Sequence, residues 1–352
     1  MVEPGDEAER SVLRAVLPAD ALLRRATSSP AGVAGVIARA LLRRRRLLLE
    51  GETDAVRIVH EDADDLPGCS IDLYGPYAVV SRYEERARVG EAELAGALLG
   101  LGVRGVYTKR RPRHASVLGD AQAGVAPPQA IAGDDAPGEL EIVERGRRLL
   151  VRLGDGLSTG VFLDLRGARA RVAAEASGAR FLNLFAYTGA YSVAAGAGGA
   201  RATSSVDTSR LALARAADNL RRNGLATPVP HRTFAEDALS FLARARVRGD
   251  AYELVALDPP SFSTTKGARL SVAHDYVALA TAAMSALTAR GVLFASTNHR
   301  GVDARAFEGW LRRAALGAGR RIARLEALPP EEDFPALPRG PALKAARIEL
   351  GG

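Results

Sequence analysis

Three short stretches place an acid where an apolar run ends. "ATSSVD" stops at Asp207, "PVPHRTFAED" at Glu236-Asp237, and "YELVALDPP" at Asp258, which two prolines follow. A carboxylate in such a place has fixed backbone behind it and open space ahead. Asp207 can accept hydrogen bonds from both hydroxyls of a ribose, and Asp237 from an exocyclic amino group such as that of adenine. Pro259 and Pro260 restrict the backbone as it leaves the run and so aim Asp258. Phe262 can stack on a base. Other chemistries lack their residues. The five histidines have no ligand-like spacing and Cys69 is the single cysteine, so no metal site and no disulfide framework is expected.

The turn before the first acid narrows the ligand. "FLNLFAYTGAYSVAAGAGGARATSSVD" (181–207) starts apolar, turns through Tyr187-Thr188-Gly189, and runs on in small residues to Asp207. No lysine follows Gly189 as a phosphate loop requires, and a dinucleotide turn needs two glycines where only Gly189 stands. What remains is a strand, a one-glycine turn, a helix, a second strand and a terminal acid. Gly189 lets a small ligand approach the backbone. This is the layout of an S-adenosylmethionine site, although a buried βαβ unit with a chance terminal acid has the same local pattern. The further acids at 237 and 258, in this order, weigh against chance and against a non-catalytic relative.

Acids at strand ends need a sheet to carry them. From about residue 160, strand-like and helix-like runs alternate, which implies a mostly parallel sheet with helices on both faces and a ligand beyond the C-terminal strand ends. Upstream, residues 11–50 read as helix, with Arg43 to Arg46 facing outwards and Leu41, Leu42, Leu47 and Leu48 inwards. Strand-like runs fill 55–83, and a Pro- and Gly-rich stretch covers 111–138. A hairpin turning at Arg145-Gly146-Arg147 follows. The expected organisation is a helical segment (1–54), a small α/β domain (55–138), a linking hairpin (139–158) and a Rossmann-like α/β domain (159–352).

The stretches "DLPGCSIDLYG", "STGVFLDLR", "FLNLFAYTGAYSVAAGAGGA", "VDTSRLALARAADNLRRNGL", "LDPPSFSTTKG" and "FASTNHRG" occur in one order. In this the chain resembles the bacterial ribosomal RNA large-subunit methyltransferases, class I enzymes that use S-adenosylmethionine. The resemblance implies that Thr159, Phe162, Asp164 and Arg166 close the cofactor pocket. It implies further that Asn183, Phe185, Tyr187 and Gly189 line it, that Asp207 and Ser209 hold the ribose side, and that Asp237 holds the adenine. Asp258, Pro259, Pro260 and Phe262 form the catalytic stretch. One branch of the family methylates cytosine C5 through a cysteine after the fifth strand. Here that stretch is Ala295-Ser296-Thr297-Asn298-His299-Arg300, and Cys69 lies far upstream as a half-buried strand residue. The sequence is closer to the guanine-N7 branch, whose acceptor carries an in-plane lone pair and needs no covalent intermediate.

The net charge of +7 fits an RNA partner, and all but three of the 48 basic residues are arginines, whose planar fork suits phosphate. Lys109, Arg110, Arg111 and Arg113, with Lys266 and Arg300 near the mouth, are the expected RNA contacts. No apolar run approaches the ~20 residues of a membrane span, and the acidic N-terminus is unlike a signal peptide, so a cytoplasmic protein is expected. Competing classes are a methyltransferase acting on protein or a small molecule and a nicotinamide-dependent oxidoreductase.

Overall fold

A computed structural model describes residues 13–28, 32–83, 85–111, 122–225, 230–260, 272–338, 340 and 343–352. It opens with the two-residue strand β1 (Leu13–Arg14) and helices α1 (Ala19–Thr27), α2 (Val33–Arg43) and α3 (Arg45–Glu50). A five-stranded sheet follows in the order β2 (Ala55–His60), β3 (Cys69–Tyr74), β4 (Tyr77–Tyr83), β5 (Gly105–Arg111) and β6 (Ala132–Gly133), with α4 (Glu91–Gly100) and the one-turn α5 (Gln122–Val125) in its connections. Strands β7 (Leu140–Glu144) and β8 (Arg147–Val151) form the expected hairpin, and β1 pairs with β7.

The helices of the first 50 residues share one core with that sheet. Leu22, Ile37, Leu41, Leu47 and Leu48 pack with Val56, Ile58, Ile71, Val80 and Val106. The arginine run does not all face outwards. Helix α2 ends at Arg43 and α3 starts at Arg45, and the break turns Arg44 inwards, 3% exposed, with both oxygens of Asp64 on its guanidinium at 2.6 and 2.5 Å. A buried ion pair of this kind is costly to half-remove, so it fixes the packing of the helices on η-turn residues 61–64.

From residue 166 the chain alternates: α6 (Arg166–Glu175), β9 (Arg180–Leu184), α7 (Ala190–Ala197), β10 (Ala202–Asp207), α8 (Arg210–Arg222), β11 (His231–Ala235), α9 (Ala238–Arg248), β12 (Tyr252–Leu257), α10 (Val272–Ser285), β13 (Leu287–Thr297), α11 (Ala304–Gly317), β14 (Ile322–Leu328) and β15 (Lys344–Leu350). The seven strands lie in the order β11-β10-β9-β12-β13-β15-β14. The first five are parallel and β15 is antiparallel to both neighbours. The sheet is therefore Rossmann-like. Its interior strand β9 buries Phe181 on one face and Leu182 on the other, as a strand covered by helices on both sides must. Ends are set by caps. The Ser209 hydroxyl accepts from Ala212 N–H at the start of α8, whose buried Leu213, Ala216 and Leu220 recur at helical spacing.

A third cluster joins the halves: Tyr74, Tyr77 and Tyr107 of the N-terminal sheet pack with Ile142 and Leu149 of the hairpin and with Val161, Val193 and Leu220. The segment 331–334 crosses the same boundary. Asp333, fully buried, accepts from Arg166 at 2.6 Å and from Arg57 N–H at 2.9 Å, and Phe334 lies under the Arg57 guanidinium.

Candidate functional site

Beyond the C-terminal ends of β9, β10, β12 and β13 lies a cavity of about 310 Å³. It is walled by the approach to α6 and its first turn (Gly160–Phe162, Asp164, Leu165, Arg169), the turn after β9 with the start of α7 (Phe185–Thr188, Ala190, Tyr191), the strand tips (Asp207, Thr208, Asp258–Pro260), Asn298 after β13 and Leu343 before β15. This is where an open parallel sheet leaves room for a ligand, because helices alternate between its faces there.

The turn after β9 is held in an uncommon backbone shape. Phe185 and Tyr187 have φ of 59° and 48°, left-handed values that cost a non-glycine residue of order 1–3 kcal/mol each. Three bonds sustain it: Ala186 N–H to Val206 O, Gly189 N–H to Ala186 O, and Tyr187 N–H to Asp207 Oδ2, each 2.9 Å. The other oxygen, Asp207 Oδ1, accepts from Ser209 N–H at 2.8 Å. Both carboxylate oxygens are thus oriented by backbone, and each keeps a lone pair for a ligand hydroxyl.

Asp258 is held differently. Its carboxylate faces the cavity and is otherwise enclosed by protein, and the Ser296 hydroxyl donates to it. Ser296 is itself fixed, since Tyr276 O–H donates to its carbonyl at 3.0 Å. Loss of solvent pushes the Asp258 carboxyl up to about 6, against the pull of the Ser296 bond and with help from the nearby charge of Asp164. Asp164 is also raised by loss of solvent. Arg169 reaches the cavity wall, but its guanidinium is taken by Glu144 at 2.8 and 2.5 Å and by Phe162 O at 2.9 Å. Asp164, Asp207 and Asp258 face this space opposite one arginine already neutralised. Such a cavity favours a ligand carrying positive charge over a pyrophosphate.

Of the residues expected in the cofactor pocket, Phe162, Asp164, Phe185, Tyr187, Asp207 and Asp258 line the cavity, with Pro259 and Pro260 beside them. The others do not line it. Arg166 is 1% exposed and tied to Asp333 and Glu331, so it latches the two halves and does not reach the cavity. The Asn183 amide donates to Ser192 Oγ inside the sheet–helix layer. Thr159 bonds Tyr74. Ser209 and Asp237 cap α8 and α9. Gly189 stands beside the lining residues Thr188 and Ala190 and has a packing reason of its own: φ is +76°, and a Cβ would stand 2.6 Å from that of Ala216.

The expected RNA contacts divide. Lys109 is fully buried and donates to Gly156 O. Arg110 pairs with Glu91, and Arg111 donates to Leu157 O. Arg300 is half-exposed two residues past the cavity-lining Asn298, where it bonds Glu61 at 2.6 Å and lies over the Tyr83 ring. Arg113, Phe262 and Lys266 lie outside the described residues. Cys69 is fully rather than half buried. Sequence reasoning missed Arg169, Tyr191, Thr208, Asn298 and Leu343 in the cavity wall. Asn298 was within reach, the first residue past the end of the strand that neighbours Asp258. Leu343 carries no local signal, because it arrives through the late insertion of β15.

A family model described as S-adenosylmethionine-dependent methyltransferase matches residues 116–347. Ribosomal RNA large subunit methyltransferase I of Erwinia tasmaniensis is 31% identical over 302 residues, 85% of this chain and 75% of that protein. Ribosomal RNA large subunit methyltransferase K/L of Chromohalobacter salexigens is 38% identical over 251 residues, 67% of this chain but 32% of that protein. This chain therefore spans about a third of the K/L relative. Among solved structures, the methyltransferase SMU.776 complexed with S-adenosylhomocysteine superposes with a TM-score of 0.78 at 29% identity, covering 90% of this chain and 80% of that one. An acid-lined cavity at the tips of a parallel sheet is what a sulfonium cofactor asks for, and with the family match over most of its length the chain belongs to the S-adenosylmethionine-dependent methyltransferases.

Proposed function

We propose that this enzyme transfers the methyl group of S-adenosylmethionine to guanine N7 of large-subunit ribosomal RNA. The names of the K/L and I relatives support the RNA class. The observation that carries the choice of atom is the pairing at the cavity floor: Ser296, where the cytosine-C5 chemistry needs a thiol nearby, donates its hydroxyl to Asp258. The one thiol of the chain, Cys69, is sealed in β3 with its ionisation suppressed chiefly by burial. Guanine N7 needs no covalent activation. Its in-plane lone pair attacks an already electrophilic methyl, so placement in line supplies much of the rate. The methylated ring gains positive charge, which the Asp258 carboxylate offsets where water is scarce. Asp207 holds the ribose of the cofactor, and Arg300 beside Asn298 guides an RNA phosphate to the mouth.

The test is to methylate total RNA from cells lacking the enzyme, digest it to nucleosides, and identify the product by mass spectrometry. The expected product is 7-methylguanosine, with activity of Cys69→Ala within about twofold of the parent, because a buried strand cysteine contributes packing. Detection of 5-methylcytidine or N2-methylguanosine would overturn the N7 assignment, and methylation of protein alone would overturn the RNA class.

A further inference from the structure

The wall formed by residues 154–162 is held from both halves of the molecule. On the methyltransferase side, Arg215 pairs with Asp155 at 2.6 Å and the Thr188 hydroxyl donates to Gly160 O at 2.5 Å. On the N-terminal side, Lys109 Nζ donates to Gly156 O at 2.5 Å and Arg111 to Leu157 O at 3.1 Å, while Tyr74 O–H and Thr159 Oγ1 share a bond of 2.7 Å. Gly154 lies so close to the Pro128 carbonyl that no Cβ fits. The tethers at the apex, residues 156 and 157, thus come from strand β5. Side chains alternate along a strand. Lys109 and Arg111 therefore share one face and reach the loop, while Arg110 on the other face is spent on Glu91.

Lys109 is an unusual choice for structure alone. It is a fully buried amine to which, among the described residues, no carboxylate is bonded, and loss of solvent pulls it down to about 8. A buried methyl-bearing side chain would pack there at lower cost. What the amine supplies is a strong donor on the Gly156 carbonyl, four residues before the cavity-lining stretch 160–162.

We propose that Lys109 and Arg111 are positioning residues of the methyl-donor site: β5 of the N-terminal sheet holds the 154–162 wall in its ligand-binding shape. They act through the loop and touch no reacting atom. The loop brings Gly160, Val161 and Phe162 to the cavity, and Phe162 packs on Tyr187 with ring centroids 5.7 Å apart. Slackening the apex lets this wall move away and raises the entropic cost of ordering it on each binding event. The N-terminal sheet thereby sets cofactor affinity without contributing a residue to the cavity. The inference rests on the family's cofactor and not on which nucleotide is methylated.

The experiment measures S-adenosylhomocysteine affinity by calorimetry, and KM and kcat for S-adenosylmethionine, in Lys109→Met, Lys109→Gln and Tyr74→Phe. Thermal melting confirms that each variant is folded at the assay temperature. Lys109→Met is expected to weaken binding and raise KM by about tenfold, the scale of one lost charge-assisted hydrogen bond, with kcat within about twofold. Lys109→Gln keeps a neutral donor and recovers most of the affinity. Tyr74→Phe removes from β3 the one hydroxyl that bonds Thr159 of the same loop, without burying a charge, and should weaken binding about threefold. A merely structural lysine would lower the melting temperature and leave KM unmoved. Unchanged affinity in folded Lys109→Met, or in Tyr74→Phe should the lysine variant not fold, would overturn the proposal. Loss of kcat at unchanged KM would overturn it too. Calorimetry needs no RNA, so the outcome is independent of the acceptor.

Discussion

Asp207 and Asp258 end parallel strands in one sheet and face one cavity, yet their surroundings differ. Asp207 receives two backbone N–H groups, one from the strained turn and one from the start of the next helix. Among the described residues, Asp258 receives only the Ser296 hydroxyl, and it is enclosed. The first environment fixes a carboxylate's orientation and so suits recognition of a neutral diol. The second leaves the charge only partly compensated, so that a cation arriving in the cavity gains most there. Position at a strand tip is shared; the number and kind of donors decides the role.

The largest effect should come from Asp258. Asp258→Asn is expected to slow methyl transfer about 10²-fold or more, the usual scale for losing one transition-state electrostatic partner, with modest change in cofactor affinity. The parent enzyme should show kcat/KM rising with pH through about 6, because the carboxylate works when ionised and its pKa lies there in the free enzyme. Stability runs the other way. The folded pKa lies above the unfolded one, so the folded state binds the extra proton between them and stability falls as pH rises through that window. Asp258→Asn should therefore melt slightly higher than the parent at pH 7.5. A rate profile flat from pH 5 to 8 would equate the two acids and remove the contrast.

Next in size is Asp207→Ala, which removes a ligand acceptor and the bond to Tyr187 N–H together. Affinity for S-adenosylhomocysteine should fall by roughly 2–3 kcal/mol, measured by calorimetry, while kcat at saturation changes little. Equal loss in kcat would show that both acids serve the reaction step. Smallest is the third strand-tip acid. Asp237 accepts from Ser240 N–H as the N-cap of α9 and lies outside the cavity wall. Asp237→Ala should cost about 1 kcal/mol of stability in urea unfolding, and leave cofactor affinity within about twofold. A tenfold loss of affinity would restore it to the adenine.

Much of this was legible because local chemistry leaves local marks. Alternating strands and helices, the single-glycine turn and Asp-Pro-Pro are each contained in a few consecutive residues. The antiparallel pair β14–β15 was not read. Ile322–Leu328 is mixed in burial at a sheet edge, and Lys344–Leu350 slips between β13 and β14 from far along the chain. The basic residues were the hardest to place, since an arginine looks the same whether it meets water, phosphate or a buried acid. Arg44, Arg166 and Arg169 found acids 20, 167 and 25 positions away.

The order of residues by itself determined the parallel sheet, the acids at its tips and the absence of a thiol after the fifth strand, because hydrophobic period and residue type are properties of short segments. Only the tertiary structure decided which acids share a cavity, that Gly189 answers to Ala216, and that Lys109 and Arg111 are turned inwards. Those outcomes depend on which buried charges find partners and which donors find carbonyls, and such pairings are settled by packing between segments far apart in the chain.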